Sequence, residues 1–188
     1  MSGSVPYEPV DALEVLVKHR VRFVVIGGYA AQLRGSPSLT QDTDVCYARD
    51  DENLDRLAAA LRALDASLRG APASVPFVLD VNTLRAGDHF TFDTEAGALD
   101  ILGTPSGIPG GFEELDRAAD DMDLGAGFTV RVASIDDLIR MKRAAGRPKD
   151  LIEVEVLGAL RDEIDDQALA RRRAARRGGP SGRSRGSG

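Results

Sequence analysis

The segment VRFVVIGG, residues 21–28, constrains the fold more than any other stretch of the chain. It is short and rich in β-branched residues, so it reads as a strand, and it stops on two glycines before YAAQLRG, whose Ala, Gln and Leu favour helix. A strand that turns directly into a helix leaves backbone N–H groups unpaired at the helix start, and glycine lets an anion approach them closely. Alone, the same pattern is equally a plain tight turn. The neighbouring strands decide between the two.

Fourteen residues after Gly28 comes DTDVCYA, residues 42–48, with the polar and apolar alternation of a half-buried strand. Side chains two apart on a strand share a face, so Asp42 and Asp44 point into one space while Thr43 and Val45 point the other way. Further on, HFTFDTEAGALDILG, residues 89–103, reads as two strands joined by a Glu-Ala-Gly turn. In it Asp100 is flanked by Leu99 and Ile101 and so projects from the polar side of an otherwise apolar strand. If these strands are neighbours, three carboxylates converge. Two like charges about 4 Å apart cost on the order of 4 kcal/mol at an effective dielectric near 20, so a cation must offset them. With oxygen donors only, that cation is Mg²⁺ or Mn²⁺.

The rest of the chain fits a single intermixed domain. Val10, Leu13, Leu16 and Val17 give an amphipathic first helix over residues 9–20. Leu54, Leu57, Leu61, Leu64 and Leu68 place one long apolar stripe on a helix after Asp50. Asp50, Asp51, Glu52 and Asp55 sit at its start, where acids are favoured, and are helix-start residues rather than a metal cluster. Residues 70–76 and 104–112 are Gly/Pro-rich breaks, followed by a short helix near 113–118, a strand at 128–133, and two or three helices from 134 to about 175. The fold class is α/β (α+β), a small mixed β-sheet flanked by helices with further helices at the C-terminus. The expected divisions are an N-terminal segment 1–8, a catalytic domain 9–166, and residues 167–188 as an Arg-rich helix extension and disordered tail. The acidic run from Glu113 to Asp123 reads as a solvated surface, His89 as a strand-edge residue, and Cys46 as core rather than nucleophile.

Composition removes several classes. One cysteine excludes a disulfide framework or a multi-cysteine metal site, and His19 and His89 are too isolated for a histidine cluster. No apolar run reaches the roughly 18 residues of a membrane span, and the first residues lack a signal-peptide pattern, so a cytoplasmic protein with no membrane partner is expected. The net charge of -6 conceals a split: residues 167–188 hold seven arginines and no acid, leaving residues 1–166 with 17 bases against 30 acids. The tail is +7 and the body -13. The tail is either a solubilising terminus or an electrostatic arm for RNA or an acidic partner.

The string VIGGYAAQLRGSPSLTQDTDV resembles the signature of the nucleotidyltransferase superfamily with the DNA polymerase β-like fold, in which a glycine turn precedes a short helix and an Asp-x-Asp strand, with a third acid on a later strand. With Gly-Gly, a Thr two residues before the first Asp and a basic C-terminal helical region, it is similar to the AbiEii-type toxin nucleotidyltransferases. The resemblance covers about residues 9–160. It implies a nucleoside triphosphate substrate such as ATP, with Gly27 and Gly28 holding the triphosphate, Asp42 and Asp44 binding two Mg²⁺ ions, and Asp100 completing the second metal site. Gly28 replaces the Ser of many members, removing one hydroxyl contact to phosphate. The resemblance also implies a toxin-antitoxin system, with tRNA or another RNA as acceptor and an antitoxin protein as partner. A small-molecule acceptor such as an antibiotic, and a weakly catalytic binding or antitoxin module, are the competing implications.

The segment SIDDLIRMKRAAGRPKD, residues 134–150, adds a separate clue. Ser134 can cap a helix three residues before Asp137, and Ile135, Leu138 and Ile139 form the buried stripe. At about 100° per residue Lys142 falls in the middle of that stripe. Either its stem lies on the core with the ammonium reaching solvent, or it emerges beside the carboxylates and neutralises a phosphate. In the resembling family a Lys and a later Asp here are functional, which maps to Lys142 and Asp150. Asp150 also suits a helix N-terminus after Pro148. Arg147 and Lys149 are further candidates for phosphate contact.

Overall fold

The computed structural model describes residues 7–71 and 77–177, so the expectation for the far C-terminus and most of the 70–76 loop lies outside the described residues. Strand β1 (Phe23–Ile26) is four buried apolar residues in a row, and a strand buried on both faces belongs inside a sheet. It lies between β2 (Asp42–Tyr47), antiparallel, and the strand formed by Thr129–Val132, parallel. In chain order the strands are β1, β2, β3 (Ser67–Leu68), β4 (His89–Thr94), β5 (Gly97–Leu102), β6 (Asp120–Asp123) and β7 (Thr129–Val132). They form one seven-stranded mixed sheet in the order β3-β4-β5-β2-β1-β7-β6.

Helices α1 (Pro9–Lys18), α2 (Gly27–Leu33), α3 (Asp51–Ala63), α4 (Val81–Ala86), α5 (Gly111–Ala118), α6 (Ile135–Ala145) and α7 (Pro148–Arg177) complete the described chain. The apolar face of β2 and β5, with Thr43, Val45, Leu99 and Ile101 buried, lies against α1 and α5, and α3 packs on α1. Helices α2 and α6 meet on the carboxylate side, and α7 lies along α6. Ser134 caps α6 as its spacing predicts: its Oγ accepts the Asp137 N–H at 3.1 Å. Gly146 ends α6 at a left-handed φ of 66°, which a side chain would strain, and Pro148 starts α7 immediately after.

Three expectations change. Leu68 is not on the α3 stripe: α3 ends at Ala63, Asp65 adopts a positive φ of 49°, and Leu68 enters β3 beside Phe92. Helix α4 was not visible as a periodic pattern; Asp80 starts it by accepting the Thr83 N–H at 2.8 Å. The acidic run is not a plain solvated surface. Asp120–Asp123 form edge strand β6, and Arg34, Arg131 and Arg140 pair with Asp120, with Asp116 and Asp121, and with Glu114. These arginines supply counter-charge that a local reading of the run cannot see.

Asn53 fixes the ends of the two site-bearing strands. It is fully buried on α3, its Oδ1 accepts the Arg22 N–H at 2.7 Å, and its Nδ2 donates to the carbonyls of Arg22 and Ala48 at 3.1 and 2.7 Å. Truncation removes the partner of the Arg22 N–H and of the buried Ala48 carbonyl, each worth about 1–3 kcal/mol, while the Arg22 carbonyl keeps the Ala48 N–H. Asn53→Ala is therefore expected to lower unfolding free energy by about 3 kcal/mol, read as a lower urea midpoint at unchanged m-value.

Candidate functional site

The parallel register of β2 and β5 places Asp44 directly opposite Asp100, and the antiparallel register of β1 and β2 places Ile26 opposite Asp44. The three strands thus deliver the glycine turn and the acids to one spot. One carboxylate oxygen from each of Asp42, Asp44 and Asp100 lies within 4.8 Å of the others. Thr43 and Val45 face the opposite side and are buried, as the alternation requires.

Like charges this close perturb one another. Burial, followed by the charges of Asp42 and Asp100, pushes the Asp44 carboxyl up to about 7, with Lys142 and the Gly28 N–H pulling the other way. Burial also raises the Asp100 carboxyl, against the pull of Arg69. The Arg69 guanidinium is 3.3 Å from Asp100 Oδ1, near enough for attraction but out of hydrogen-bond alignment. That buried oxygen has no hydrogen-bond partner among the described residues. An orphaned carboxylate oxygen beside two further carboxylates, with no His or Cys in the set, matches the donor set of Mg²⁺ or Mn²⁺.

The glycines fit for steric reasons. Gly27 has a φ of 66°, and a Cβ there would lie 1.9 Å from Asp44 Oδ2. A Cβ on Gly28 would meet Thr40 Cβ and Oγ1 at 2.8 Å. Thr40 in turn donates its hydroxyl to the Asp42 carboxylate. The space a serine at position 28 would need is thus filled by Thr40. The Gly28 N–H faces the Asp44 carboxyl and pulls its pKa down, so the turn bears on a carboxylate as well as opening toward the cavity. Tyr7 donates its hydroxyl to the Asp42 carbonyl at 2.9 Å, and burial pushes its phenol up to about 12.

The acids open into a cavity of about 620 Å³ whose other wall is α6 and the start of α7. Lys142 reaches this cavity, 14% exposed, but its ammonium rests on Glu153 Oε2 at 2.8 Å, with Asp150 Oδ1 at 3.5 Å. Asp150 is fully buried and is held by Arg147, whose Nε and Nη2 donate to it at 2.6 and 3.1 Å. The Arg147 hydrogen bond holds the Asp150 carboxyl below the usual range. Asp150 is therefore more than an acid suited to a helix start. Lys149 is exposed on the rim, and His89, at the start of β4, reaches the same cavity.

Sequence reasoning missed Glu153 and Arg69. Glu153 lies one turn after Asp150 on the same helix face, a spacing that could have marked it. Arg69 carries no local signal, because it reaches Asp100 only through the pairing of β3 with β4 and β4 with β5. Cys46 is buried, and burial pushes its thiol up to about 12, which excludes it as a nucleophile. No helix among the described residues is long and apolar enough to cross a membrane.

No family model matches the chain, and no curated protein matches its sequence significantly. Among solved structures it is similar to the lincosamide antibiotic adenylyltransferase LnuA, bound to lincomycin, with a TM-score of 0.54 and 12% identity over 80% of this chain and 94% of that one. The antibiotic-resistance factor ANT(2″)-Ia matches at a TM-score of 0.47 and 15% identity, over 89% and 97% of the two chains. A Thermotoga maritima protein assigned as a nucleotidyltransferase matches at 0.45 and 17%, over 86% and 97%. The mixed sheet and flanking helices of this chain are the nucleotidyltransferase fold, shared with LnuA.

A site of crowded acids is costly to the metal-free protein. The folded-state carboxyl of Asp44, near 7, lies above its ordinary 3.8, so the folded state holds the proton more tightly than the unfolded chain. Its contribution is full below about pH 4 and is lost as pH rises through about 7. Asp44→Asn is expected to raise the metal-free Tm at pH 8 and to remove stabilisation by added Mn²⁺, both measured by thermal denaturation. A lower Tm in the metal-free variant would contradict this account of the site.

Proposed function

We propose that the chain catalyses nucleotidyl transfer. An acceptor hydroxyl attacks the α-phosphorus of a nucleoside triphosphate, a new P–O bond forms as the bond to the β-phosphate oxygen breaks, and pyrophosphate leaves. The observation that carries this reading is the meeting of Asp42, Asp44 and Asp100 within 4.8 Å on adjacent strands of a nucleotidyltransferase fold.

Asp42 and Asp44 would hold both Mg²⁺ ions, and Asp100 would complete the set for the second. Such ions, when bound, offset phosphate charge and lower the pKa of an acceptor hydroxyl. The protein's own groups do the rest. Thr40 and Tyr7 fix Asp42 by its side chain and its carbonyl, and the Gly28 N–H faces the Asp44 carboxyl. Asp100, the third acid, would take the proton of the attacking hydroxyl. Lys142, Arg147 and Lys149 across the cavity, and the Gly27–Gly28 turn beside the acids, would contact the leaving pyrophosphate. Glu153 and Asp150 keep Lys142 and Arg147 oriented until phosphate oxygens compete for them.

The acceptor that suits the cavity best is a small hydroxyl compound. Among the described residues no Phe, Tyr or Trp lines it, and His89 and Arg147 are the planar side chains there on which a base could stack. The shared fold with an adenylyltransferase that acts on a lincosamide supports the same acceptor class and makes ATP the first nucleotide to test. The toxin reading, with an RNA 3′ end as acceptor, rests on the resemblance of the Gly27–Gly28 turn, Thr40 and the basic C-terminal region to the AbiEii-type toxins.

The deciding experiment incubates the full chain with each α-labelled nucleoside triphosphate, Mg²⁺, and either total RNA or a panel of hydroxylated antibiotics and metabolites. Mg²⁺-dependent label is expected on a small molecule, with pyrophosphate released. Asp42→Ala and Asp44→Ala, each folded by circular dichroism, should lose more than about a hundredfold of the rate. Full activity in either variant overturns the reading, and label on RNA reassigns the acceptor.

A further inference from the structure

Helix α7 is seated on the body through Glu153, Val154 and Leu157, then continues with every residue from Asp162 to Arg173 exposed. At about 100° per residue, Asp165, Asp166, Leu169, Arg172 and Arg173 fall within about 60° of one line along this stretch. The line is turned roughly a third of a revolution from the face that carries Leu157 and Leu160, so it looks away from the body. Leu169 is 46% exposed at its centre. The ion pairs of Arg161 with Asp162 and Asp136, and the hydrogen bond from Gln167 to Glu163, leave the four charged residues of this line unengaged among the described residues.

The order of charges is acid, acid, apolar, base, base. Reversed in direction and in sign, it reproduces itself. We propose that this face of α7 docks antiparallel on the same face of a second copy of the chain, with the twofold axis at Leu169. Asp165 then lies beside Arg172 of the second copy, on one side of the leucine contact, and Asp166 beside its Arg173 on the other. Symmetry repeats both pairs, and the two Leu169 side chains meet in the middle. Such an isologous contact is closed and stops at a dimer. Each exposed pair is individually weak and salt-screened, so the dimer forms at high protein concentration and low salt. An RNA occupant fits less well, because Asp165 and Asp166 share the face with the arginines and would oppose a polyanion.

Charge reversal tests this without disturbing the core, since all five residues are exposed. Arg172→Glu with Arg173→Glu makes the face wholly acidic, and Asp165→Arg with Asp166→Arg makes it wholly basic. By analytical ultracentrifugation the full-length wild type should show a reversible dimer that dissociates as salt is raised. Each reversed variant alone should associate at least about tenfold more weakly, and an equimolar mixture of the two should recover a heterodimer. Helicity by circular dichroism confirms that α7 is retained. The proposal fails if the wild type is monomeric at several hundred micromolar in low salt, if either variant associates as tightly as wild type, or if the mixture does not restore association. An RNA that binds monomeric wild type and is lost with Arg172→Glu and Arg173→Glu assigns the arm to nucleic acid and overturns it as well.

Discussion

The register between β2 and β5 is the constraint on which the rest of the site depends. Parallel pairing sets Asp44 opposite Asp100, with Asp42 two residues back on the same face. A slip of one residue would turn Asp42 and Asp44 into the apolar layer and bring Thr43 and Val45 out, a cost that fixes the register firmly. Once the acids are fixed, their repulsion governs what surrounds them. Position 27 needs glycine because its φ is left-handed and any side chain there would collide with Asp44, and the Gly28 N–H, the Thr40 hydroxyl and the Arg69 guanidinium each face one of the three carboxyl groups. None of these cancels the charge outright. The carboxyl of Asp44 stays near 7 and one oxygen of Asp100 stays without a hydrogen bond among the described residues, as expected of a site shaped for a cation.

The opposite wall is organised by the reverse logic. Lys142 and Arg147, the cations suited to phosphate, are each already paired, with Glu153 and with Asp150. Unpaired, these long side chains would be free to adopt other rotamers. Paired, they are held in place on side chains that can yield to a stronger acceptor. A triphosphate entering with its metal ions would therefore meet an acid wall that needs cations and a basic wall whose counter-ions it can replace. This complementarity fits a charged ligand better than a neutral one.

Much of this geometry could be seen in the sequence because it depends on short-range periodicity. The alternation of DTDVCYA, the apolar flanks of Asp100, the two glycines after β1 and the Ser134 cap all express backbone geometry within a few residues. What escaped depends on long-range closure. Arg69 reaches Asp100 through two strand pairings. Helix α3 ends early because Asp65 turns left-handed, which the leucine spacing alone could not indicate. The acidic run from Glu113 to Asp123 gained its role from arginines 10 to 86 residues away in sequence. Glu153 is the intermediate case: its helical spacing from Asp150 was available, but its value became apparent only with Lys142 lying against it.

The charge division of the chain acquires a spatial meaning along α7. Acids precede arginines along its outer half, an order in which the positive end lies toward the helix C-terminus and so complements the macrodipole. That alone helps a helix persist after its packing on the body has ended at Leu160 and Arg161. The same order also determines what the exposed face can pair with. A parallel copy would align acid with acid and arginine with arginine, whereas an antiparallel copy aligns opposites at every position. Thus the sequence order that suits the helix dipole also makes its outer face self-complementary in only one direction, and a uniformly basic arm of equal length would have had the dipole without the complementarity.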